Sequence, residues 1–186
     1  MNTNRLLAFA CLAVSLLLSG CQKEIEFDAI TDADFVQTQT EIVQADVAAL
    51  IEATKSEDIE ALIEFSHPRV VNYMGGRADA YFGMEKAFQE FHELQMSYDV
   101  FDVNGQPTFY RTDRHEFVIQ KMHSVCLTPE MSIAQNSALI GMRDLGTQQW
   151  KYMDYNSETE KKVYKIFPGL PKSIELPEPT VEVTYK

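Results

Sequence analysis

A chain of 186 residues with 45% apolar side chains has the size of one ordinary domain and enough apolar material to fill a core. Three cysteines are too few for a disulfide-stapled miniprotein, and the aromatic content excludes a disordered chain. Sixteen basic against 28 acidic side chains give a formal charge of −12 with no basic cluster, which repels phosphates and argues against nucleic acid as a partner.

Residues 1–20 place Arg5 and the free amine ahead of an uncharged apolar run from Leu6 to Leu18. Those 13 residues would span about 20 Å as a helix, short of the ~20 residues a bilayer crossing needs, and they predict a secretory h-region. The run ends in Leu18-Ser19-Gly20-Cys21, which resembles the lipobox of bacterial lipoproteins. The resemblance implies cleavage between Gly20 and Cys21, removal of residues 1–20 and a diacylglyceryl thioether on Cys21. It also implies a second acyl group, such as palmitate, on the new amine. Two or more acyl chains anchor a protein stably where one does not, so the lipid bilayer becomes an expected partner. Gln22, in place of the aspartate that resembles an inner-membrane retention signal, leans towards the outer membrane, facing the periplasm.

Losing Arg5 leaves 15 basic against 28 acidic side chains, a formal charge of −13. Cys11 departs with the leader and Cys21 carries lipid, so Cys126 has no intrachain partner. Cys126 sits in the apolar stretch Met122 to Leu127 and reads as a small buried hydrophobe.

Residues 21–31, with Glu24, Glu26 and Asp28, suit a short acidic tether that holds the body off an anionic surface. From Asp32, an available N-cap, Phe35, Val36, Ile42, Val43, Val47, Leu50 and Ile51 fall at helical spacings as far as Lys55. Ile59, Leu62, Ile63 and Phe65 predict a second, shorter helix with acids in its first turn, which Pro68 ends or redirects. Gly75-Gly76 predicts a turn needing positive φ, and Met84, Phe88, Phe91 and Leu94 predict a third helix.

The period changes to two after Ser97. Tyr98 to Val103, then Asn104-Gly105 as a hairpin dipeptide, then Pro107 to Tyr110 predict two strands. Glu116 to Leu127, Ser137 to Leu145 and Thr147 to Tyr155 predict three more, with Gly146 turning between the last pair, and Lys162 to Phe167 a short final one. The tail from Phe167, with prolines at 168, 171, 177 and 179, is expected to run extended along the surface, with residues 173–186 offering Val181, Val183 and Tyr185 as an edge strand. Helices followed by an antiparallel meander predict an α+β fold with three N-terminal helices on one face of a sheet.

This order is similar to the nuclear transport factor two-like, or cystatin-like α+β, family over about residues 32–172. The likeness is carried by Val47 to Ala53 running into Asp58 to Leu62, the Tyr73-Met74-Gly75-Gly76 turn, the strand Gln149 to Met153 and the ending Lys165 to Pro171. The resemblance implies a cone-shaped domain with a strongly bent sheet, a pocket closed by the helices, and homodimerisation through the sheet face. Members span isomerases, dehydratases, cyclases, binding subunits and protein-association modules, so the family does not fix a function.

No matched motif supplies a catalytic residue. His115 and His123, eight residues apart, are separated by about 26 Å of strand rise and cannot share a metal without a bend; HExxH, EF-hand, phosphate-loop and G-x-S-x-G patterns are absent, and no metal or cofactor is expected. The aromatic residues with polar tips single out Tyr73, His92, Trp150 and Tyr152 as candidate ligand contacts. The leading expectation is an envelope lipoprotein that binds a small apolar ligand or another envelope protein. The alternative is a cofactor-free isomerase or hydro-lyase using one of Tyr73, His92, His115, Asp144 or Asp154.

Overall fold

The computed structural model describes residues 25–186. The expected leader, the lipobox-like Leu18 to Cys21 and the expected lipid attachment at Cys21 lie outside the described residues, as do residues 21–24 of the expected tether. The fold is α+β, with seven antiparallel-paired strands in one sheet and five α-helices among the described residues.

Helix α1 (Ala33–Lys55) begins where Asp32 accepts a hydrogen bond from the Phe35 amide at 2.8 Å, satisfying one of the amides a helix start leaves open. Asp58 caps α2 (Ile59–Phe65) in the same way through the Ala61 amide at 3.0 Å. Pro68 does not merely end that helix. It opens a further one, α3 (Pro68–Tyr73), as its first residue, where a missing N–H costs nothing; His67 Nδ1 accepts the Arg69 amide at 3.1 Å. Gly75 and Gly76 both have φ of 104°, and a Cβ on Gly75 would lie 2.2 Å from Asp79 Oδ2, so the turn into α4 (Arg77–Glu93) requires glycine there.

The helices are therefore not a set of three at the N-terminus. The two-residue strand β1 (Asp28–Ala29) precedes them, four helices rather than three precede the main strands, and α5 (Val163–Ile166) follows the sheet. The predicted strand at Lys162–Phe167 is a 3-10 turn at Glu160–Lys162 running into α5, because Val163, Ile166 and Phe167 bury together at helical spacing.

The remaining strands are β2 (Ser97–Val103), β3 (Thr108–Arg111), β4 (His115–Leu127), β5 (Met131–Asp144), β6 (Lys151–Tyr155) and β7 (Thr180–Tyr185). β4 and β5 pair along their whole length, from His115↔Asp144 to Leu127↔Ser132. Asn104-Gly105 turns the chain, Gly105 with φ of 82°, but β2 and β3 do not pair as a hairpin. Both pair with β4, β3 along its first half and β2 along its second, while the Asn104 amide bonds to the Lys121 carbonyl at 2.8 Å and Gln120 Nε2 donates to the Gly105 carbonyl at 3.1 Å. β5 is likewise flanked by β6 along one half and β7 along the other.

Strand alternation divides the core into two layers. On one face Val118, Met122, Leu139, Trp150 and Tyr152 pack against Val43 and Val47 of α1. On the other, Phe117, Ile119, Ile140, Met142 and Met153 are covered by Val163, Ile166, Phe167, Leu170 and Ile174. The segment from Phe167 thus does not run along the surface until after Ile174; Phe167, Leu170 and Pro171 are among the most deeply buried side chains, since that sheet face has no long helix to close it. β7 is the expected edge strand, with every residue exposed.

Between α1 and the end of β5 lies a buried ionic cluster. Glu116 receives Arg143 Nε at 2.8 Å through one carboxylate oxygen and Arg111 Nε at 2.9 Å through the other. Arg143 also donates to Gln39 Oε1 at 2.9 Å and lies 4.3 Å above the Trp150 ring, whose Nε1 donates to the same Gln39 oxygen at 3.0 Å. With Arg143 8% and Glu116 5% exposed, charge pairing and full hydrogen bonding are what make their burial tolerable.

Candidate functional site

A cavity of about 320 Å³ opens between the helices and the sheet, at the low end of small-molecule site volumes. Leu50 and Thr54 reach it from α1, Leu62 and Phe65 from α2, Ser66 from the cap of α2, and Met84 from α4. Its floor is the face of the sheet that α1 covers. Met122, Ser124 and Cys126 of β4, Gln135, Ser137 and Leu139 of β5, and Tyr152 and Asp154 of β6 all line it at two-residue spacing.

β2 contributes Tyr98 and Phe101, three apart, which strict alternation would send to opposite faces. A register shift between Tyr98 and Val100 aligns Tyr98 with Cys126 and Phe101 with Ser124, and so returns both rings to the cavity side. They stack with centroids 5.0 Å apart, and Phe91 of α4 stacks on Tyr98 at the same spacing, which joins that helix to the sheet. At the junction of α2 and α3, the His67 amide donates to the Tyr152 carbonyl at 2.8 Å, tying the helices to β6 beside the cavity.

Tyr152 is held from two sides. Its hydroxyl donates to Asp46 Oδ2 of α1 at 2.7 Å, and its ring crosses β5 where Gly141 has no side chain. A Cβ on Gly141 would come within 2.9 Å of Tyr152 Cε1 and 2.5 Å of Val118 Cγ1. Burial, then the hydrogen bond and charge of Asp46, hold the Tyr152 hydroxyl well above the usual tyrosine range despite the opposing Arg143, so it stays a neutral donor. The Tyr98 hydroxyl is pushed up to about 12, first by burial and then by Cys126 and Asp154.

Asp154 lines the cavity and is exposed, yet protein surrounds it closely enough for burial to raise its carboxyl above the ordinary aspartate value. Asn156 Nδ2 opposes the rise with a hydrogen bond to Oδ2 at 2.6 Å, and the nearby Glu158 charge adds to it. Burial also raises the Cys126 thiol, which disfavours the thiolate a nucleophile needs.

Of the four residues singled out from the sequence, Tyr152 lines the cavity and the other three stand elsewhere. Tyr73 is 42% exposed beneath Lys165, whose Nζ is 5.0 Å from the ring centre. His92 is exposed on α4, with Nε2 2.6 Å from Glu57 Oε1. Trp150 is fully buried in the ionic cluster. Among the residues considered for catalysis, Asp154 lines the cavity, whereas His115 and Asp144 pair with each other at 3.0 Å where β4 begins and β5 ends. Among the described residues no group of three or more His, Cys, Asp and Glu side chains could hold a metal ion. No helix among them is long and apolar enough to cross a membrane.

Tyr98, Phe101, Ser124, Gln135 and Ser137 were not singled out from the sequence. One signal was present: Gln135 and Ser137 are polar side chains two apart on β5, and Ser124 lies between Met122 and Cys126 at the same spacing on β4. A second hollow of about 510 Å³ lies between residues 25–28 and Arg111–Asp113, and is bounded by the first described residues.

Comparison with protein-family models, with curated proteins and with solved structures gives no match.

Proposed function

We propose that the chain is a lipid-anchored envelope protein whose body, a nuclear transport factor two-like cone, binds a small and largely apolar ligand. The observation that carries the reading is the cavity of about 320 Å³, lined on its helix side mainly by Leu50, Leu62, Phe65 and Met84 with Thr54 and Ser66 among them, and fitted with polar groups on its sheet side. The lipobox at Leu18 to Cys21 supports lipid attachment, and Gln22 in place of aspartate leans towards the outer membrane, with the body in the periplasm. An open cavity favours a small ligand over an envelope protein as the bound partner. A homodimer formed through the sheet face would use the β2, β4, β5 and β7 end, because residues 163–174 cover the rest of the outer face.

Binding is favoured over catalysis because the polar groups are committed or weak as catalysts. Tyr152 is bound to Asp46, and burial keeps the Cys126 thiol protonated. One observation supports the alternative, a cofactor-free isomerase or hydro-lyase. A carboxyl raised by its surroundings, Asp154, shares an apolar cavity with the Tyr98 hydroxyl, and those are a base and a donor.

The test is ligand-observed NMR with a set of small aryl and alkyl compounds on the wild-type chain and on Ser137→Trp, which fills the cavity. Binding to the first and not the second is expected. Equal binding to both, or to neither, overturns the reading. Turnover abolished by Asp154→Asn would move the assignment to the enzyme. Intact mass of authentic material should show loss of residues 1–20 and addition of lipid on Cys21.

A further inference from the structure

The charges around the cavity restrict what it can hold, a restriction that rests on its being the ligand site. Of its lining residues Asp154 alone is charged, and no Lys, Arg or His borders the space. A second carboxylate, Asp46, stands directly behind the Tyr152 hydroxyl. The cation acting on Tyr152 from the other direction, Arg143, is engaged by Glu116 within the buried cluster and is not free to meet a ligand. The next basic residue on β6, Lys151, alternates away from the cavity and donates to the Glu64 carbonyl. With Asp154 ionised, the form that a cation beside it favours against the effect of burial, the field inside is negative, in a chain whose formal charge is −12.

Each class of ligand meets that field differently. A carboxylate or phosphate would shed water and face Asp154 with no cation to receive it, which disfavours both. A wholly apolar molecule would displace water from Asp154 and leave a carboxylate oxygen unpartnered, because Asn156 satisfies only Oδ2. A protonated amine would give that oxygen a charge-assisted hydrogen bond, the strong kind. An ammonium carries three N–H donors, so it can meet Asp154 and still have donors to place elsewhere. The side-chain oxygens of Gln135, Ser137 and Tyr98 are further acceptors on the same sheet face. Across the cavity Leu50, Leu62, Phe65 and Met84 supply an apolar wall for the rest of the molecule.

We infer that the cavity selects a small amphipathic amine, with its ammonium group at Asp154 and its hydrocarbon part against α1, α2 and α4. The pocket reads charge through one carboxylate and shape through the helix wall.

A matched set with one skeleton tests this: 3-phenylpropylamine, 3-phenylpropanol and 3-phenylpropionate. Binding is titrated calorimetrically to the full chain in nanodiscs of zwitterionic lipid, with protein-free nanodiscs as the blank. The amine is expected to bind ~10-fold or more tightly than the alcohol, and the carboxylate more weakly than either. Asp154→Asn should bring amine and alcohol within about twofold, chiefly through loss of amine affinity. If the alcohol or carboxylate binds as well as the amine, or if Asp154→Asn keeps the preference, the charge selection is wrong and the cavity remains a ligand site. If no member binds wild type more tightly than Ser137→Trp, the cavity reading falls as well. Should Asp154→Asn fail to fold, the wild-type ranking alone decides.

Discussion

Gly141→Ala is the sharpest perturbation of the site, because one added carbon strikes the residue that joins sheet to helix. Gly141 pairs with Val118 on one side and Tyr152 on the other, and the new Cβ would lie 2.5 Å from Val118 Cγ1 and 2.9 Å from Tyr152 Cε1. Both neighbours are buried and neither is the free end of a flexible chain, so the clash costs about 1–3 kcal/mol of overpacking. Moving the ring also strains or breaks the 2.7 Å hydroxyl bond to Asp46, worth about 1.5–3 kcal/mol for a charged acceptor. Alanine returns about 0.5–1 kcal/mol by restricting the unfolded chain.

The net expectation is a loss of about 2–4 kcal/mol, or roughly 5–15 °C in Tm for a chain this long. Urea denaturation with an unchanged m-value measures it. Adding Val118→Ala removes the closest contact, so the double variant should recover about 1 kcal/mol relative to additivity. A Gly141→Ala protein within about 0.5 kcal/mol of wild type, or strictly additive behaviour of the pair, would refute this description of the Tyr152 seat.

Other sites give further expected outcomes. Glu116→Gln leaves the buried Arg143 without its counter-charge and should cost about 3 kcal/mol in urea unfolding, or roughly 6–12 °C in Tm; an unchanged midpoint would mean the cluster contributes nothing. Phe167→Ala should cost about 3–5 kcal/mol as a core truncation, whereas Tyr185→Ser, at a side chain 76% exposed, should stay within about 0.5 kcal/mol. Burial and then the Arg69 charge lower the His67 pKa from 6.5 to about 4, against the opposing pull of Asp144. The unfolded chain therefore takes up a proton before the folded one does, so stability is complete above pH 6.5 and falls between pH 6.5 and about 4. The shift alone would give about 3 kcal/mol, which partial solvent exposure reduces to about 1–2 kcal/mol, and His67→Asn, which can still cap α3, should flatten that part of the pH profile.

Much of the fold was legible because it follows from local rules. Asp32 caps α1 as expected, Asp58 stands one step before the first turn where it was expected and caps α2, Gly75-Gly76 takes positive φ, and Glu116 to Leu127 lies within the long strand β4. Features set by distant contacts were not. Val163 to Phe167 is apolar enough for a strand, and only the uncovered sheet face beneath it decides for a helix. Asn104-Gly105 does form a turn, but pairing belongs to β4, which is long enough to take β2 and β3 in succession.

The site divides along the same line. Tyr152 could be named as an aromatic with a polar tip and Asp154 as an acid on a late strand, and both line the cavity. The place of Tyr98 and Phe101 depends on a bulge that no dipeptide announces. His92 and Tyr73 carry suitable chemistry on outward-facing helix surfaces, and Trp150 spends its polar tip inside the ionic cluster.

The methionines offer the most direct test of the central claim that the cavity is where a ligand sits. Met84 and Met122 line it, while Met142 and Met153 lie buried on the opposite face of the sheet. With methyl-labelled methionine and 3-phenylpropylamine as the titrant, saturable shifts are expected at Met84 and Met122, and still resonances at Met142 and Met153. Unmoved signals at Met84 and Met122, or equal movement of all four, would contradict it.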